Sequence, residues 1–206
     1  MVCVSKPLTP TSARDIAIRL ASVRPDEALS VAKGIEAPWF RCQALSHVAR
    51  HWPDKMYSRL LEEAILAADC QEDVFKRVAV SAWPIRAYLE RGNPTPAKEL
   101  LTKYVAASGA IENMGSRSEA LFSLFQASKP FDNGLWQPVF WALVAAAEPA
   151  LSWRQLRNLR NAVAMVASDN GELVQQAIET LSEPKNLSTV RRYFDKQIRQ
   201  QPRPYF

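Results

Sequence analysis

Glycine is scarce in this chain, with six residues in 206. Folds built from many strands and tight turns draw heavily on it, so the scarcity argues against an all-β architecture. Cysteine is rarer still. Cys3, Cys42 and Cys70 are odd in number and have no Cys-x-x-Cys spacing, which provides neither a disulfide framework nor a zinc site. Long apolar runs are missing: no stretch reaches the ~18–20 residues needed to span a bilayer. Met1 to Ser12 holds one lysine, two prolines and no apolar run, unlike a signal peptide. The expected location is the cytoplasm. No glycine-rich phosphate loop, nucleophile–base arrangement or paired-carboxylate motif is visible, so neither an enzyme nor a cofactor is expected.

Other features are plentiful. Hydrophobic residues make up 48% and charged residues 23%, the balance of an ordinary globular chain large enough for a core without disulfides. Six tryptophans supply large aromatic anchors. The formal charge is +5, and it is uneven. Residues 150–206 hold nine basic against five acidic residues; the rest of the chain holds 17 against 16. Such a bias is either a solvated face or a surface for an acidic protein or a nucleic acid.

A short motif recurs. Ala44-Leu45-x-x-Val48 returns as Ala79-Val80-x-x-Trp83, Ala120-Leu121-x-x-Leu124 and Ala162-Val163-x-x-Val166, at steps of 35, 41 and 42 residues. Alanine lets two helices approach closely, and the bulky residues one and four positions later fill the space between repeats. This period predicts stacked helical hairpins. The expected fold is all-α: a right-handed α-solenoid of about eleven helices in four or five antiparallel hairpins. One helical-repeat domain is read over 12–200, between a flexible N-terminal tail at 1–11 and a C-terminal tail at 201–206.

The run from Ala28-Leu29-Ser30-Val31-Ala32 to Arg41-Cys42-Gln43-Ala44-Leu45-Ser46-His47-Val48-Ala49 resembles one degenerate helical-hairpin repeat of the tetratricopeptide or HEAT type. About residues 26–170 share the pattern. The tetratricopeptide signature of Trp, Leu-Gly and Tyr is absent, so both repeat types stay open. The resemblance implies a scaffold that binds peptides or proteins along a curved surface, and it implies no catalytic residue.

Capping signals place the helices. Ser12 reads as the N-cap of the first, with Asp15 three residues on and Val23 inward. Pro25 and Pro38 open the second and third. The fourth covers about 54–69, with Met56 inward. The fifth runs from near Asp73 to Gly92, with a kink or break expected at Pro84. Others follow from Pro94, over 114–128, 133–147 and 153–168, and after Gly171. A last helix at 188–200 carries the apolar stripe Leu187, Val190, Phe194 and Ile198, as a terminal cap would.

Four constellations hold candidate chemistry. His47 and His51 stand four residues apart on one helix face, as in some zinc sites, but no third ligand is evident and no metal is expected. Arg41, Lys76, Arg117 and Arg154 recur in the first turn of the motif helices, each soon after Glu36, Glu72, Glu112 or Glu148. They read either as ion pairs bracing the turns or as a cation ladder facing an acidic partner. The helix at 133–147 carries no charge and is apolar all round, which suits a central buried helix or an exposed aromatic strip. Arg154, Arg157 and Arg160 step by three around the next helix. No stacking aromatic interleaves with them, which weakens a single-stranded nucleic-acid reading.

The expected function is therefore a non-catalytic protein–protein interaction module, an adaptor, scaffold or inhibitor. Trp136, Trp141, Arg154, Arg157 and Arg160 are the expected partner-binding residues, on one hairpin, with the arginines steering an acidic partner. The alternatives are a nucleic-acid-binding helical-repeat protein using the basic C-terminal region and a HEAT-like enzyme acting on DNA.

Overall fold

The computed structural model describes residues 8–53, 55–131, 134–147, 152–167 and 169–181, with Ser188, Arg191 and Arg192. Among the described residues the chain is all-α, with ten helices and no strand. It divides into two compact units, Met1–Leu100 and Leu101–Phe206.

The first unit holds α1 (Pro10–Leu20), α2 (Pro25–Lys33), α3 (Pro38–His51), α4 (Tyr57–Asp69) and α5 (Val74–Glu90). Proline opens three of them, where its missing N–H costs nothing and its fixed φ suits the first turn. The cap of α1 differs from the sequence reading. Thr9, not Ser12, is the N-cap, and its hydroxyl accepts from the Ser12 backbone N–H at 3.2 Å. Pro10 sets the helix start, so the cap falls one residue before it. Asp15 pairs instead with Arg14 at 2.6 Å.

The third helix is central, packing on α1, α2, α4 and α5. Cys42 to Ser46, Val48 and Ala49 are all buried. Small residues make this possible: Ala13 and Ala17 on α1, Ala28 and Ala32 on α2, and Ala64 and Ala68 on α4 bring backbones close. Two buried serines, Ser46 and Ser81, return their hydroxyl protons to Cys42 O and Val78 O, both at 2.7 Å. A polar side chain satisfied by its own helix can be buried at little cost. Cys42 is fully buried, and burial pushes its thiol far up, which leaves it an inert packing residue.

Pro84 does not break α5, which runs through it as one helix with Val80, Ser81 and Ile85 buried around it. The helix ends as Gly92 adopts φ +69°. Asn93 N–H then reaches Tyr88 O at 2.9 Å and Gly92 N–H reaches Leu89 O at 3.0 Å, the paired bonds of a Schellman stop. Two residues expected inside lie outside. Val23 is 71% exposed, because α1 has already ended at Leu20, and Met56 is 50% exposed at the N-cap of α4, which starts at Tyr57.

An intervening helix, α6 (Pro94–Ser108), spans the division and buries Ala97, Leu101 and Tyr104. The second unit continues with α7 (Met114–Ser128), α8 (Trp136–Ala146), α9 (Trp153–Ala167) and α10 (Gly171–Thr180). Both α8 and α9 pack chiefly on α7, and α10 packs on α9. Phe125, Trp136 and Phe140 form the aromatic centre, with ring centroids 6.0–6.3 Å apart. Lys129 caps this cluster, its Nζ 4.8 Å from the Trp136 ring, while pairing with Asp169. A buried hydrogen bond joins α9 to α7, from Asn158 Nδ2 to Ser118 Oγ at 3.3 Å. The expected terminal helix and its apolar stripe lie outside the described residues, apart from helical, exposed Ser188, Arg191 and Arg192.

Candidate interaction surface

The motif helices pack on one another within each unit: α3 on α5, and α7 on α9. Ala44, Ala120 and Ala162 are fully buried, and Ala79 nearly so. The contact face of these helices is thereby spent on packing within each unit.

On α9 the two faces are sharply different. Gln155, Asn158, Leu159, Ala162, Val163 and Val166 turn inward. Ser152 and Gln155 close the helix start reciprocally. Gln155 N–H donates to Ser152 Oγ at 3.4 Å, and Ser152 N–H donates to Gln155 Oε1 at 2.8 Å, the arrangement of a capping box. Gln155 Nε2 also donates to Ala146 O at 2.8 Å, which ties the helix start to the end of α8. The first turn of α9 is therefore rigidly placed.

The outward face carries Trp153, Arg154 and Arg157. Trp153 is 67% exposed, an unusual position for so large an apolar side chain. The guanidinium carbon of Arg157 lies 5.2 Å from its ring centroid and that of Arg154 lies 5.5 Å away, both within cation–π range. Neither arginine has a carboxylate at ion-pair distance among the described residues. No acidic residue stands in the first turn of α9 or of α7. The two helix starts are close neighbours: a Cβ built on Gly115 of α7 would lie 3.6 Å from Ser152 Oγ and 3.8 Å from Arg154 Cδ.

The five residues read from sequence are thus divided. Arg154 and Arg157 are exposed side by side, and Arg160 is half-buried on the same stripe. Trp136 is in the aromatic core at 5% exposure, so it presents nothing to a partner. Trp141 is half-buried, its ring 5.8 Å from Phe140. The composition of α8 concealed a sided helix: Trp136, Val139, Phe140, Leu143 and Val144 face inward, while Gln137, Pro138 and Ala145 are exposed. The residue that sequence reasoning missed is Trp153. A signal for it was present, since Trp153, Arg157 and Arg160 fall at 0, 4 and 7, opposite the apolar stripe of the same helix.

One of the recurring cations, Arg117, braces a turn in a way not foreseen, and Arg77 does the same beside Lys76. The ion pairs of Arg41 with Glu36, Lys76 with Glu72 and Arg117 with Glu112 are absent among the described residues; Glu148 lies outside them. Arg117 instead donates to Ile111 O at 2.9 Å and to Gly109 O at 2.7 Å. Arg77, beside Lys76, donates twice to Gln71 O at 2.9 and 3.3 Å. Carbonyls just beyond a helix end lack intrahelical donors, and a guanidinium from the next helix supplies them.

In the first unit, His47 and His51 stand with ring centroids 5.1 Å apart. Arg50 Nη1 lies 3.4 Å from His47 Nδ1, which makes that nitrogen the acceptor. Burial, then the Arg50 and His51 charges, hold His47 down at about 4, so it is neutral near pH 7. A guanidinium at the pair disfavours a bound cation, and no group of three metal-ligating side chains occurs among the described residues. Arg50 and Arg86 both hold the Glu90 carboxylate, linking α3 to α5. No described helix is long and apolar enough to cross a membrane. Comparison of the chain with protein-family models, with curated proteins and with solved structures finds no match in any of the three.

Proposed function

We propose that the chain is a non-catalytic protein–protein interaction module of the cytoplasm, built as an α-solenoid of helical hairpins. The packing of α3 on α5 in one unit and of α7 on α9 in the other, with the motif alanines buried, supports the repeat reading. Stacking of that kind lines up equivalent outward faces, and extended binding surfaces in repeat proteins are made this way. The observation that carries the functional reading is the exposed Trp153 held beside two arginines that lack carboxylate partners among the described residues. Tryptophan and arginine on a rigid element are the residues most enriched in binding hot spots.

The same observation gives a nucleic-acid reading its one specific support, since an aromatic beside cations is a stacking platform. Immobilised protein exposed to extract of its host, with and without nuclease treatment, separates the two. A defined protein partner retained after nuclease treatment supports the module. Retention of nucleic acid alone, lost steeply as salt rises, refutes it.

A further inference from the structure

We infer that the start of α9 is the docking point for an extended acidic protein segment, with Trp153 as its apolar contact and Arg154 and Arg157 as its carboxylate clamps. This rests on the interaction-module reading and adds the chemistry of the partner. Arg154 and Arg157 are one helical turn apart, a rise of about 4.5 Å. Side chains two positions apart on one edge of an extended segment are separated by about 6.6 Å, which two flexible arginines span. A segment with acids at alternate positions thus reaches both guanidiniums while laying the flat side chain of a proline or aromatic on the indole.

Charge selects the occupant. The two cations face solvent with no acid in the first turn of either neighbouring helix. The capping box and the Gln155 bond to α8 hold the turn in place before any partner arrives, so little ordering cost remains for binding. The count of groups favours a peptide over a nucleic acid. One exposed indole and two cations match a segment with two carboxylates, whereas a single strand is tracked by successive aromatic platforms along a basic groove.

The test uses the full chain and two fluorescein-labelled probes: a short peptide alternating glutamate with proline and tyrosine, and a single-stranded oligouridine of equal charge. At about 50 mM salt, where surface charges are weakly screened, the peptide is expected to bind. R154E/R157E should weaken it about tenfold or more, and Trp153→Ala by a similar factor, with partial recovery in Trp153→Phe. A control reversing two exposed cations of the first unit outside the recurring set, Arg19→Glu with Arg59→Glu, should change affinity by less than about twofold. Trp153 is exposed, so thermal melts of its variants should match wild type. If the peptide binds and the α9 variants bind it equally well, this docking point is wrong and the module reading survives. If oligouridine binds and the peptide does not, both are wrong. If neither binds, the acidic-segment proposal is overturned.

Discussion

Replacing Ala120 with leucine tests the packing scheme most directly. Ala120 has no exposed surface and lies on α7, the helix against which both α8 and α9 pack. Its neighbours Leu121, Leu124 and Phe125 are equally sealed. Three added carbons therefore have no route to solvent and must displace side chains or spread helices. Overpacking of this kind costs about 1–3 kcal/mol. For a chain of this size each kcal/mol lowers the melting temperature by about 2–4 °C, so a fall of roughly 2–12 °C is expected. Ala79 provides the contrast. It retains 8% exposure on the stripe of α5 that continues to half-buried Trp83 and Arg86, so leucine there can lean outward, at a cost below about 1 kcal/mol. Urea unfolding followed by far-UV circular dichroism measures both, with the midpoint shift read at constant slope. An Ala120→Leu protein as stable as wild type, or one no less stable than Ala79→Leu, would show that the repeated alanine is not a contact point.

Phe140→Ala removes a fully buried ring that touches Phe125, Trp136 and Trp141; the expected loss is about 3–5 kcal/mol, with a collapse of the near-UV dichroism of the tryptophans. Asn158→Ala and Ser118→Ala should each destabilise by about 1–2 kcal/mol, and their double-mutant cycle should return a coupling of about 0.5–1.5 kcal/mol; strict additivity would mean that the buried bond contributes nothing. His47 binds its proton in the unfolded chain near the ordinary 6.5 but only at about 4 when folded. The stability tied to its neutral form is therefore complete above pH 6.5 and is lost as pH falls toward 4. Urea titrations across that window should show a shallower decline for His47→Gln than for wild type, and parallel curves would refute the assignment.

The helical plan was legible because this chain punctuates its helices. Pro25, Pro38 and Pro94 open helices and Gly92 closes one, at the residues the sequence suggested. The misses share a cause. Thr9, Val23 and Met56 lie at helix ends, where one residue of displacement turns an inward side chain outward. On α8 the periodicity carried no information, since apolar residues occupy the solvent side as well as the core side. Of the surface on α9, the arginines could be read from their spacing. Trp153 could not be read by size and hydrophobicity, which argue for burial. Its exposure follows from position alone, at the first residue after a Ser152 cap whose partner Gln155 takes the inward direction.

The arginines that reach back across the turns have a consequence for how this protein is made. Arg77 holds a carbonyl six residues earlier, and Arg117 holds carbonyls six and eight residues earlier. Each clasp involves only chain that has just been synthesised. As the polypeptide leaves the ribosome, a turn can close once the first coil of the following helix has emerged, without waiting for distant segments. The bends before α5 and α7 would then close in the order of synthesis, each locked by the helix that follows it. Replacing Arg77 or Arg117 with methionine should leave the far-UV dichroism of the folded protein unchanged while slowing stopped-flow refolding, and refolding at the wild-type rate would refute the idea.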